Sequence, residues 1–149
     1  MRGQISEHEY WQALKDNFAL QIPDDIAGEF TKWEGLNANQ DILNLAEEAR
    51  QSGLKIAILS NVMEPSYNVL HDTGHYAKFD EVIASCEVGY AKPDPEIYQI
   101  ALERLGTTGE QSIFIDDKQR CLDPAKAMGF TTILAQSPEQ IIRDVRALL

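Results

Sequence analysis

The sequence predicts an α/β fold, a parallel sheet with helices on both faces. Three observations carry that prediction. Four short apolar runs each lead into a segment of helical periodicity, and successive β-then-α units build covered parallel sheets. The runs are apolar through their length, as strands buried on both faces are. The third run, SIFIDD, drives Ile113, Phe114 and Ile115 straight into two adjacent carboxylates, Asp116 and Asp117. Like charges that close repel, so the pair either sits in water as a turn or faces a cation.

Helices come first. Residues 6–20 open with Ser6 and carry Glu9 three positions on, a capping box, with Tyr10, Leu14 and Phe18 at helical spacing. A second helix is expected from Pro23 to a stop at Gly35, and a third from the cap Asn39 to Gly53. The rhythm then changes. Strands are expected over 55–60, 81–85, 112–116 and 131–135. The helix after the first covers 66–72, the next ends at Gly106, and the third stops at Gly129. The closing helix has Ser137 as cap and Pro138 at its first position.

Composition excludes some functions. Acidic residues outnumber basic ones by 24 to 13, for a net charge of −11, which disfavours nucleic-acid phosphates and anionic membrane surfaces as partners. No apolar stretch resembles a signal peptide or reaches transmembrane length, so a cytoplasmic location is expected. Cys86 and Cys121 lie outside any metal-ligand spacing and are expected to be free thiols.

In open parallel sheets, ligands bind beyond the carboxyl ends of the strands. After the first strand come Ser60 and Asn61, followed by a helix N-terminus suited to a phosphate or carboxylate. After the second comes Lys92, the one cation between Lys78 and Arg104. After the third come Asp116 and Asp117. Taken singly, Ser60-Asn61 is an ordinary cap and Lys92 a solvated loop lysine. Together, one group per strand end, they suit a phosphoryl group and a divalent metal. Ser60 and Asn61 donate to oxygens, Lys92 neutralises charge, and the aspartates offer hard ligands to Mg²⁺.

ILSN, GYAKPDPEIY and FIDDKQRCLDPAKAMGF, in that order, resemble motifs two, three and four of the haloacid dehalogenase superfamily of hydrolases. The closest likeness is to its subfamily I phosphatases, including sugar-phosphate phosphatases and the phosphatase domain of soluble epoxide hydrolase. The resemblance implies a Rossmann-like core over 39–149 and, over 1–38, part of a helical cap. It implies a Mg²⁺-dependent phosphatase acting on a small phosphorylated metabolite through a phospho-aspartate. Ser60 and Asn61 would bind the phosphoryl group, Lys92 would steady the nucleophile, and Asp116 and Asp117 would hold Mg²⁺.

The family's first motif, an apolar strand ending in Asp-x-Asp that carries the nucleophile and the general acid/base, is not found in these 149 residues. The expectation is a truncated, inactive form whose first strand would lie upstream of Met1. That strand belongs between those ending at Ser60 and Asp116, so a vacant central position is expected, which leaves self-association through exposed strand edges open. Two rivals differ in kind. A phosphoacceptor receiver domain would place its acidic pair first and its lysine last, opposite to the order here. A catalytically dead binding or dimerisation module would share the motifs and lack turnover.

Overall fold

The computed structural model describes residues 39–149 together with Glu9 and Ala13, both helical and exposed. The remainder of the first expected helix, and all of the second, lie outside the described residues.

Asn39 opens the core as a helix cap, its side chain accepting from the N–H groups of Asp41 and Ile42 at 3.0 and 3.2 Å. Helix α1 (Gln40–Gln51) follows. The chain then alternates through strand β1 (Ala57–Ser60), α2 (Glu64–Asp72), β2 (Glu81–Ala84), the short α3 (Ser85–Val88) and α4 (Pro95–Leu105). It continues through β3 (Ile113–Asp116), α5 (Gln119–Ala127), β4 (Thr131–Leu134) and α6 (Pro138–Arg146). Ser137 caps α6 by accepting from the Gln140 N–H at 3.2 Å. A glycine in the left-handed region closes α4, with Gly106 at φ 63°.

The strands pair in parallel, as the β-then-α rhythm requires. β1 pairs with β2, Ser60 opposite Ala84, and β3 pairs with β4, Asp116 opposite Leu134. Among the described residues these are two separate two-stranded sheets, with no ladder joining β1 to β3. A hydrophobic core spans both. Ile97 and Tyr98 of α4 are fully buried and pack with Ile83 of β2, Phe114 of β3 and Leu122 of α5. Tyr98 meets Phe114 edge-on at 5.4 Å between ring centroids and donates its hydroxyl to the Cys121 carbonyl at 2.6 Å. One helix therefore holds the two strand pairs together. A smaller cluster of Leu45, Ile133 and Val145 packs α1 and α6 over β4.

Several element bounds differ from the sequence expectation: the first strand begins at Ala57, the helix after it at Glu64, the third strand at Ile113, and the fourth strand ends at Leu134. The second strand stops one residue early, because Ser85 turns the chain into α3, a helical turn ended by Gly89 at φ 76°. The helix after β3 spans Gln119–Ala127 with Met128 as its C-cap, next to the expected stop at Gly129, and tolerates Pro124 inside it.

Candidate active site at the carboxyl edge

Each candidate residue closes or follows a strand, and hydrogen bonds bring Asn61, Lys92 and Asp116 together. Ser60 ends β1. Beyond it, the Asn61 side-chain amide makes a two-point contact with the Lys92 backbone. The Lys92 N–H donates to Asn61 Oδ1 at 2.7 Å, and Asn61 Nδ2 donates to the Lys92 carbonyl at 2.8 Å. The loop after β1 is thereby tied to the loop after β2.

From that anchored backbone the Lys92 side chain reaches the end of β3. Its Nζ lies 5.6 Å from the centroid of the Phe114 ring and donates to Asp116 Oδ2 at 2.7 Å. The Lys92 and Asp116 side chains are only 13% and 5% exposed, so the ion pair is largely removed from water. The Lys118 N–H donates to the other oxygen, Oδ1, at 2.8 Å. Burial pushes the Asp116 carboxyl up. The hydrogen bonds from Lys92 and Lys118 and the Lys92 charge outweigh it and hold the group below its ordinary value. Of the two adjacent carboxylates, Asp116 is the one that faces the Lys92 cation.

Asp117 behaves differently. Its side chain is 71% exposed and stands 4.0 Å from the Lys118 ammonium, a surface pair worth little by itself. Asp116 and Asp117 offer hard oxygen donors of the kind Mg²⁺ takes. Among the described residues no cluster of three or more His, Cys, Asp or Glu groups is placed to hold a metal. The donor chemistry thus fits Mg²⁺, with the rest of its shell left to water, phosphoryl oxygens or other groups.

Residues 3–129 match the family model of haloacid dehalogenase-like hydrolases. The chain belongs to that family. Among curated relatives it is 30% identical over 143 residues to bifunctional epoxide hydrolase 2 of Sus scrofa, covering 89% of this chain and 24% of that one. It is 29% identical over 131 residues to sesquiterpene phosphatase astK of Aspergillus oryzae, covering 86% of this chain and 66% of that one. The chain thus spans between a quarter and about two thirds of the length of these relatives. The fold resembles that of a haloacid dehalogenase family enzyme from Bacteroides thetaiotaomicron crystallised with magnesium and inorganic phosphate. The TM-score is 0.76 at 21% identity, over 91% of this chain and 71% of that one.

Within this family's edge geometry, sequence inspection singled out Ser60, Asn61, Lys92, Asp116 and Asp117 but missed Ser85. Its hydroxyl is fully buried and bonds both backbone groups of Val62, accepting from the N–H at 3.0 Å and donating to the carbonyl at 3.2 Å. A serine closing an otherwise apolar strand, in VIAS, was the available signal. Cys86 and Cys121 are free thiols, and burial pushes both upward. No helix among the described residues is long and apolar enough to cross a membrane.

Proposed function

We propose that the carboxyl edge binds the phosphoryl group of a small phosphorylated metabolite together with Mg²⁺, as part of a phosphomonoester hydrolase. The observation that carries this reading is the buried 2.7 Å pair between Lys92 and Asp116, a cation and a metal-type ligand at one point, with the Lys92 backbone bonded to Asn61. The sesquiterpene phosphatase relative and the magnesium- and phosphate-bound Bacteroides neighbour support it.

In this reading the Ser60 hydroxyl donates to a phosphoryl oxygen. The Lys92 ammonium neutralises charge on the phosphoryl group, and Asp116 and Asp117 hold the metal. Mg²⁺, when bound, supplies charge neutralisation to the phosphoryl oxygens. In this reading Asn61 contributes through Lys92, whose backbone carbonyl and N–H its amide bonds. Residues 1–38 would select the substrate as part of a cap over the 39–149 core.

Hydrolysis through a phospho-aspartate needs a nucleophilic carboxylate and an acid to protonate the leaving oxygen. The 149 residues contain no apolar strand ending in Asp-x-Asp to supply them. We therefore expect phosphate binding without turnover. Calorimetry with inorganic phosphate and Mg²⁺ should show binding that Lys92→Met weakens severely yet measurably, while hydrolysis of an aryl phosphate stays at background. Binding indifferent to Lys92→Met would overturn the site, and turnover that tracks purified protein would overturn the expected inactivity.

One observation favours a second reading, a binding module that self-associates. Among the described residues β1 and β3 are unpaired with each other, and Ile113 and Ile115 of β3 are each 37% exposed. Sedimentation across a concentration series tests it. A strict monomer at all concentrations would remove it.

A further inference from the structure

We infer that Asn61 is a positioning residue for Lys92, and that Ser85 sets the loop from which Asn61 acts. The assignment of Lys92 to phosphate rests on the proposed function above. The positioning relay itself stands on geometry.

A lysine side chain is long and flexible, and holding its ammonium at one point sacrifices rotamer freedom. The loss is smaller when the Cα is already fixed. Asn61 does this with one planar amide whose oxygen takes the Lys92 N–H while its nitrogen gives to the Lys92 carbonyl. Two bonds, one to each peptide flanking the Lys92 Cα, set both the place and the direction of that residue's backbone. The contact joins positions 31 apart in sequence, so it fastens the loop after β1 to the loop after β2. An exposed asparagine would otherwise spend these groups on water.

Ser85 repeats the device one step deeper. The β1–β2 ladder ends at Ser60 opposite Ala84. Past that point α3 begins and backbone pairing stops. The Ser85 hydroxyl continues the connection by taking the N–H of Val62 and giving to its carbonyl. Val62 follows Asn61 directly. A buried hydroxyl is costly unless bonded, and here both roles of the oxygen are used, so its energetic return is a fixed loop. The connection runs from Ser85 through Val62 and Asn61 to Lys92, and ends where Lys92 meets Asp116.

The test combines a binding cycle with a spectroscopic one. Inorganic phosphate with Mg²⁺ is titrated into wild type, Asn61→Ala, Lys92→Met and the double variant. Asn61→Ala should weaken binding about tenfold, the scale of two lost hydrogen bonds. Added to Lys92→Met it should cost nothing more, because its effect passes through Lys92. Additive losses would mean that Asn61 touches phosphate itself and would overturn the relay. Independently of phosphate, the ¹⁵N-edited ammonium signal of Lys92 should be distinct in wild type. It should be lost or shifted in Asn61→Ala, whose substitution lies at the surface and leaves the fold intact. An unchanged signal would also overturn the relay. Amide exchange at Lys92 should accelerate in Ser85→Ala while Ile133 keeps its rate. Unchanged exchange at Lys92 would remove Ser85 from it, and should Ser85→Ala fail to fold, exchange at Lys92 in Ser85→Cys decides. If wild type binds no phosphate, the proposed function falls and the ammonium signal still decides the positioning.

Discussion

The two strand pairs present opposite solutions to placing polar groups at a sheet edge. The β1–β2 pair ends in neutral groups, Asn61 and Ser85, each locked by two bonds to a backbone. The β3–β4 pair ends in charge, with one carboxylate buried and paired and its neighbour in water. Neutral side chains can be fixed by short local bonds. A buried carboxylate must be met by a cation, and Lys92 crosses from the first pair to the second to do it. The edge is thus assembled by exchange between the halves, over a core in which α4 packs on both.

The largest expected effect comes from cutting that shared support. Tyr98→Ala should cost about 3–5 kcal/mol in urea denaturation, the range for deleting a buried aromatic ring. It should shift one cooperative transition, because Tyr98 packs between Phe114 and Phe130 while anchoring α5 through Cys121. Two resolved transitions would show that the halves fold separately and would break the comparison.

Next comes the contrast within the charged end. Asp116→Asn leaves the Lys92 ammonium without its anion in a poorly hydrated place and should cost about 2 kcal/mol or more. Asp117→Asn, at the surface, should stay within about 0.5 kcal/mol. Equal effects would mean that the two carboxylates share one environment, contrary to their exposures of 5% and 71%.

The smallest effect concerns the first half alone. Tyr67 of α2 packs against Tyr76 at 5.6 Å between ring centroids, on the β1–β2 side, so its ionisation reports on that half. Burial, then a hydrogen bond to Glu87, pushes Tyr67 up to about 12. From about pH 10, the ordinary phenol value, the unfolded chain ionises this group while the folded chain keeps it protonated. Its contribution to stability is therefore present below that pH and falls as pH rises towards 12. Glu87→Gln should bring the phenolate absorbance step to lower pH. A step that does not move would remove Glu87 as a cause.

Much of this was legible in the sequence because each site residue sits at a punctuation mark. Asn39 and Ser137 were readable as caps, since their side chains and the following acids state the mechanism locally. Lys92 and Asp116 were readable only as residues after strands. Their meeting depends on how two strand pairs pack, which no local pattern contains. Ser85 was hidden for the opposite reason. It looks like the polar end of a strand, and only the turn into α3 aims its hydroxyl back at Val62. The sequence suggests Asn61 as a donor to phosphate from its neighbour Ser60, and carries no local sign of the bonds its amide makes with the Lys92 backbone.

The central claim is that the carboxyl edge is one site for metal and phosphate. Paramagnetic broadening of backbone amide signals by Mn²⁺, used in place of Mg²⁺ with inorganic phosphate present, locates the ion directly. The account predicts selective loss of signals from Asp116 to Lys118, from Asn61 and Val62, and from Lys92, with Asp116→Asn removing the effect. Broadening centred instead on another acidic patch, such as Glu47 and Glu48 of α1, would contradict it.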